Sequence, residues 1–169
     1  MVRSKQKIKL GVRVIIFRKN KILIIRQSKI NGRDVYILPG GGVEGEEDIL
    51  ACAEREVKEE TFLDIRAEKV LYIKELFGPN LHSLEFYVLG KIIGGSLRLG
   101  RDPELSKNAQ CLKEVVFIEL EKLARLNFYP RELRINLKKD KRRNFQTARI
   151  YLGAQRFSLK QFIRLFGPK

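Results

Sequence analysis

Apolar positions alternate with polar ones and then run together along the first part of the chain, which sets out its elements before any chemistry is considered. Ile8 to Phe17 mixes the two patterns. Ile22 to Ile25 repeats them after Lys19-Asn20, where Asn tolerates the left-handed backbone of a tight turn. The pair is predicted to be a β-hairpin. Val35 to Leu38 reads as a further short strand, ended by Pro39 and the triplet Gly40-Gly41-Gly42, which breaks regular structure and lets backbone approach a ligand closely. From Asp48 to Thr61 neither glycine nor proline occurs, Asp48 suits an N-cap, and Leu50, Ala53 and Val57 recur at helical spacing.

Further along, Ile65 to Phe77 and Leu84 to Ile93 are rich in β-branched and aromatic residues and read as two long strands joined by Gly78-Pro79-Asn80. Gly94-Gly95 and Gly100 break the chain, and Val115 to Ile118 is a short strand. Leu120, Leu123 and Leu126 predict a short helix, and Pro130 in a first helical turn opens another, with Leu133 and Leu137 on one face. Lys138 to Arg143 is a basic run, read as a loop. Ser158 caps an amphipathic helix bearing Leu159, Phe162, Ile163 and Phe166, stopped by Gly167-Pro168. That apolar face predicts packing on the sheet or in a homodimer interface. Strands outnumber helices without regular βαβ alternation, so the class is α+β with a mixed sheet.

At 169 residues and 44% hydrophobic composition, a single domain with one core is expected. Two cysteines, Cys52 and Cys111, are too few for a disulfide framework and read as buried thiols in a reducing compartment. The N-terminal apolar stretch is interrupted by Arg13 and Arg18, and no run approaches the roughly 18 apolar residues of a membrane span. A cytoplasmic location without a membrane partner is therefore expected. The net charge of +15 implies an anionic partner without choosing among nucleotide, RNA and acidic membrane. From Glu121 onward, 14 Lys or Arg face 3 acids, whereas acids gather between Glu44 and Glu60.

Within that acidic stretch Glu56, Glu59 and Glu60 stand at i, i+3 and i+4, so at about 100° per residue the three carboxylates share one helix face. A hard cation such as Mg²⁺ relieves such crowding by binding the oxygens and bridging them to substrate phosphates. Taken alone, EREVKEE is better read as a solvated face with Arg55–Glu59 and Glu54–Lys58 surface pairs.

The surrounding residues reverse that preference. Gly41, Glu47, Arg55, Glu56, Val57, Glu59, Glu60 and Leu63 fall in register on G-x5-E-x7-R-E-U-x-E-E-x-G-U, where U is a bulky aliphatic residue. The stretch GGVEGEEDILACAEREVKEETFL resembles the Nudix box, with Phe62 in place of its last glycine. Strand order resembles that family to about Asn127, which implies a mixed sheet between helices as one domain, with a core near residues 6–127 and a basic C-terminal segment near 128–169.

The resemblance implies a hydrolase that cleaves a diphosphate linkage in a small nucleotide substrate using Mg²⁺, with Mn²⁺ as the alternative ion. It makes Glu56, Glu59 and Glu60 metal ligands together with the carbonyl of Gly40, and it makes Glu47 and Arg55 a brace between loop and helix. The general base varies in the family. Glu56 is one candidate here, and Glu114 and Glu104 from a later loop are others, Glu114 ranking higher because it directly precedes a strand. Phe62 puts the helix exit in question, since the pattern's glycine lies where the left-handed conformation is common. In the ADP-ribose pyrophosphatase subfamily a proline commonly lies sixteen residues after the box, and Pro79 lies sixteen after Leu63.

Outside the box, Arg13, Arg26 and Arg33 flank the glycine loop in sequence and are candidate phosphate or nucleotide contacts, though solvated arginines are as good a reading. His82, the only histidine, is more often structural at a strand start than a base contact. Phe77, Phe86 and Tyr87 can stack on a nucleobase, but on alternating strands they belong more naturally to the core. The competing function is a nucleic-acid-directed protein, an RNA 5′-end pyrophosphohydrolase or a non-catalytic binder, supported by Lys138-Lys139 and Lys141-Arg142-Arg143.

Overall fold

The computed structural model describes residues 8–28, 34–79, 81–100, 112–146 and 150–161. β1 (Ile8–Arg18) and β2 (Lys21–Gln27) form the expected hairpin, with Arg18 opposite Lys21. Its left-handed residue is Lys19, at φ 55°, and not Asn20. Asn20 is held from the other side, since its amide donates to Glu121 at 3.3 Å and its carbonyl accepts from Leu120 N at 3.1 Å.

Most of β1 pairs with β5 (Leu81–Gly95), parallel from Ile8 opposite His82 to Ile16 opposite Gly90. β5 is antiparallel to β4 (Leu63–Gly78), and β2 carries β3 (Val35–Ile37) and β6 (Leu112–Glu119) on its two sides. The order is β3-β2-β1-β5-β4-β7, with β6 also on β2.

The apolar run in β1 has a physical cause: both of its faces are covered. Val12, Val14 and Ile16 pack with Val88, Leu63, Ile65 and the Cys52, Ala53 and Val57 side of α1 (Ile49–Thr61). Ile15 packs the opposite way, with Tyr72, Tyr87, Phe128 and Leu133 and Leu137 of α2 (Arg131–Arg142). Helices therefore lie on both faces of a mixed sheet.

Asp48 caps α1 by accepting from Leu50 N and Ala51 N, both at 2.8 Å. Ala53 and Val57 are buried as their spacing expects, but Leu50 in the first turn is 37% exposed, and the buried face extends to Glu56 and Glu60. Leu120–Arg125 is a 3-10 helix that stops before Leu126, and Pro130 is the N-cap of α2 instead of a residue in its first turn.

The basic run from Lys138 is the last part of α2, not a loop. Asp140 continues the Leu133–Leu137 face inward and accepts from the Tyr72 hydroxyl at 2.8 Å, while the exposed cations sit near the helix C-terminus that favours them. After it comes a strand the sequence pattern did not reveal, β7 (Tyr151–Arg156), parallel to β4 at the sheet edge. Ser158 and Gln161 then form a reciprocal cap, Gln161 Oε1 accepting from Ser158 N at 2.9 Å. Phe162, Ile163 and Phe166 of the expected helix lie outside the described residues. No helix among the described residues is long and apolar enough to cross a membrane.

Candidate active site: a glycine loop on an acidic helix

The end of β3 delivers Pro39–Gly42 alongside β1, where Val14 N donates to Pro39 O at 2.8 Å and Val12 N to Gly41 O at 2.9 Å. This adds the loop to the sheet as a short irregular strand and lowers it onto the inner face of α1. A Cβ on Gly40, at φ 139°, would lie 2.1 Å from Val12 O, so only glycine permits this approach, and one on Gly41 would lie 2.3 Å from Glu56 Oε1 and displace that side chain. Gly40 N donates to Glu60 Oε2 at 2.8 Å.

Arg55 is the hub. Its Nε and Nη2 donate to the two oxygens of Glu47 at 3.0 and 2.6 Å, and Nη2 also donates to Gly42 O at 3.0 Å. Its Nη1 donates to Glu56 Oε1 at 3.0 Å and to Glu59 Oε2 at 3.2 Å. One guanidinium thus ties three carboxylates and the glycine loop together, and the expected Glu47–Arg55 brace is present.

The environments of these acids differ. Hydrogen bonding from Arg55 pulls the Glu47 carboxyl down to about 2 from its ordinary 4.5, with the Glu44 N–H helping against burial. Burial pushes the Glu56 carboxyl up to about 7; Glu59 adds to the rise, and Arg55 and Arg13 restrain it. Burial, then Glu47, pushes the Cys52 thiol up to about 12, so that buried free cysteine is inert as a nucleophile.

Glu47 carries a pH prediction. Because its folded pKa is depressed, its contribution is full above about pH 4.5 and is lost as pH falls from 4.5 toward 2. Wild type should exceed Glu47→Gln by on the order of 2 kcal/mol at pH 6, after allowance for solvent screening, and the gap should close toward pH 2.5. Urea denaturation at the two pH values measures it, and a gap independent of pH would show the pair to contribute little.

The donor set suits a hard cation: carboxylate oxygens and backbone carbonyls crowd one spot, with glycine leaving room for backbone to approach. No three acidic, histidine or cysteine side chains among the described residues converge as a closed cage, and Arg55 and Gly40 N–H already engage oxygens of Glu56, Glu59 and Glu60. Mg²⁺ needs only one or two protein carboxylates beside water and phosphate, so the set still fits. The Gly40 carbonyl, the expected fourth ligand, accepts a hydrogen bond from the Arg13 guanidinium.

Of the two flanking arginines among the described residues, Arg13 is brought into the site and Arg26 is not. Arg13 also pairs with Glu85 at 3.4 Å, and Glu85 is buried and accepts from Tyr87 OH at 2.7 Å. Lys74, opposite Glu85 in the β4–β5 register and 1% exposed, pairs with Glu132 at 2.7 Å. Its ammonium lies 5.4 Å from the centre of the Tyr129 ring. The Tyr129 hydroxyl and Glu132 Oε2 are buried without a hydrogen-bond partner among the described residues. Sequence reading missed this polar group. Its signal was present in LEFY and IKEL, where a charge occupies an inward position of an otherwise apolar strand.

Other candidates lie elsewhere. Glu114 is inside β6, not ahead of it, and accepts from Arg26 at 2.9 Å; Arg26 also bonds Asp34 at 3.0 Å. Arg33 and Glu104 fall outside the described residues, as do Cys111 and Asn80. Pro79 is in the β4–β5 turn, and from Leu81 to Glu85 β5 runs roughly 13 Å, so it stands well along the strand from the carboxylates. His82 is structural, stacked 4.4 Å from Phe77 and bonded to Glu75 at 3.1 Å. Tyr87 is core, as expected, whereas Phe77 and Phe86 are only half-buried and outside the core clusters, Phe77 packing with His82 and beneath Arg156. Phe62 adopts φ 58° and ψ 10°, the left-handed C-cap that glycine would occupy. The conformation costs about 1–2 kcal/mol in a non-glycine residue, partly offset by about 0.5–1 kcal/mol from Arg98, 4.8 Å above the ring.

Residues 7–136 match the NUDIX domain family model. The chain is 33% identical over 116 residues to an ADP-ribose pyrophosphatase of Methanocaldococcus jannaschii, covering 68% of this chain and 63% of that protein. A human 8-oxo-dGDP phosphatase is 31% identical over 91 residues, covering 54% of this chain and 27% of that protein. The chain thus spans less than two thirds of the length of these curated relatives. Among solved structures, a NUDIX hydrolase from Nitrosomonas europaea shares the fold at TM-score 0.66 and 16% identity, covering 84% of this chain and 93% of that one. An ADP-ribose pyrophosphatase from Streptococcus suis does so at TM-score 0.56 and 21% identity, covering 86% and 97%.

Proposed function

This chain belongs to the NUDIX family, and from that premise we propose that it is a magnesium-dependent pyrophosphohydrolase acting on a nucleoside diphosphate derivative, ADP-ribose or a related nucleotide sugar. The observation that carries the reading is the Arg55 hub, which joins Glu47, Glu56, Glu59 and the glycine loop into one carboxylate-rich unit. Glu56, Glu59 and Glu60 would hold the metal with backbone oxygen from the loop, Mn²⁺ serving as the alternative ion. When bound, that ion lowers the pKa of water and neutralises charge on the phosphoryl oxygens.

The chain's own residues supply the rest. A water oxygen attacks one phosphorus, the bridging P–O bond breaks, and the departing phosphate carries the electron pair away, so one diphosphate gives two monophosphates. We assign the water's proton to a carboxylate, Glu56 of α1 being the one packed against the loop at Gly41; Glu114 is engaged by Arg26. Arg13, next to the loop carbonyl, would meet a substrate phosphate in this reading, with Arg26 and Arg33 further candidates and Pro79 a wall for the terminal ribose. Identity to the archaeal ADP-ribose pyrophosphatase and the spacing of Pro79 support the substrate assignment. A buried free thiol at Cys52 suits the cytoplasmic location we propose.

A second reading, a triphosphorylated RNA 5′ end as substrate, draws on the exposed Arg131, Lys139, Arg142 and Arg143 of α2 and its end. A single assay separates the two: phosphate or monophosphate release in Mg²⁺ from ADP-ribose, nucleoside triphosphates, dinucleoside polyphosphates and triphosphorylated RNA. Cleavage of ADP-ribose to AMP and ribose phosphate is expected. Turnover of the others without it refutes the substrate assignment, and RNA preference weakened steeply by salt favours the second reading.

A further inference from the structure

The last turn of α1, which carries Glu59 and Glu60, ends in a way its own sequence does not complete. Helix termini leave the final carbonyls without intrahelical partners. Phe62 N donates to Lys58 O at 3.0 Å, and the next two bonds come from a segment more than thirty residues later, 96–100, which leaves β5 and runs back along the helix end. Arg98 N donates to Thr61 O at 3.0 Å and Gly100 N to Glu60 O at 2.8 Å. A Cβ on Gly100 would lie 1.8 Å from Glu59 O, so this backbone reaches the helix only as glycine. The strap is anchored at its middle, where the Arg98 guanidinium lies 4.8 Å over the ring of Phe62. The departure from the family pattern at position 62 therefore supplies the ring that the strap grips.

We propose that Arg98 and Gly100 are positioning residues for the metal carboxylates: the Arg98–Phe62 stack and the Gly100 N–H hold a backbone strap across the end of α1 and fix the turn from which Glu59 and Glu60 project. Glu60 is tied at both ends, its carbonyl by Gly100 and its side chain by Gly40 N–H. Loosening the strap frees the turn, so both carboxylates lose their preset placement. The inference rests on the metal role assigned above.

Mn²⁺ binding followed by electron paramagnetic resonance tests it, with thermal midpoint and metal-dependent turnover measured in parallel. Arg98→Ala should weaken Mn²⁺ on the order of tenfold, as loss of outer-shell support commonly does, with only a small change in midpoint. Arg98→Lys should restore most of it. With Phe62→Gly already in place, Arg98→Ala should have little further effect, since the ring it grips is gone. Gly100→Ala should show the largest loss, and if it fails to fold the Arg98 series stands alone. Unchanged Mn²⁺ affinity in Arg98→Ala, or the same loss with and without Phe62, overturns the proposal while leaving the metal site in place. A wild-type protein that binds no Mn²⁺ overturns the metal assignment itself, and this inference with it.

Discussion

Replacing Glu59 or Glu60 by Gln is expected to leave the fold intact and to lower metal-dependent hydrolysis by at least about a hundredfold. Each change removes charge at nearly constant volume. An amide oxygen at position 60 can still accept from Gly40 N, now 2.8 Å from the carboxylate, so the loop keeps its seat. One at position 59 gives up only a part-exposed pair with Arg55 at 3.2 Å. In metal-free buffer the thermal midpoint should hold or rise as repulsion is relieved. Circular dichroism, the midpoint and turnover at several Mg²⁺ concentrations check all three statements, and turnover near the wild-type rate in both variants would falsify the metal assignment.

Arg55→Met should be the most destabilising single change at the site. It leaves Glu47, Glu56 and Glu59 without their shared cation and the Gly42 carbonyl with only the Cys52 thiol, and breaking a part-buried charge network of this kind costs about 2–4 kcal/mol. Mg²⁺ should raise the midpoint of the variant more than that of wild type, because a cation among the orphaned acids replaces part of what was lost. Equal responses to Mg²⁺ would mean that the arginine and the metal do not share those carboxylates.

The sequence was most readable where one physical rule acted alone. β1 and β2 followed from apolar runs around a two-residue turn, and α1 from its cap at Asp48 and the absence of breakers. The box residues were legible because loop and helix are adjacent in sequence, so spacing already encodes their geometry. Reading weakened where tertiary contacts decide. Spacing groups Leu50 with Ala53 and Val57, yet Leu50 is exposed and Glu56 and Glu60 join the inner face, where the glycine loop receives them. The run at Lys138 was taken for a loop because its charges obscured the inward Asp140, whose partner Tyr72 is far away in sequence. Glu85 and Lys74 depend on strand pairing, which no local pattern reveals. β7 went unseen because it is 6 residues long, includes Gly153 and pairs only with β4.

That short strand has a bearing on how the protein behaves in a crowded solution. β4 is 16 residues long, and without β7 its outer row of N–H and C=O groups would be open to any extended chain that came by. β7 occupies the stretch from Ile73 to Phe77, and the ladder is irregular between Ile73 and Glu75. The new border presents only 6 residues, with Gly153 inside and Arg156 at its end, a poor template for a further strand. β7 thus covers that stretch of β4, and removing it should bare a strand edge that favours self-association.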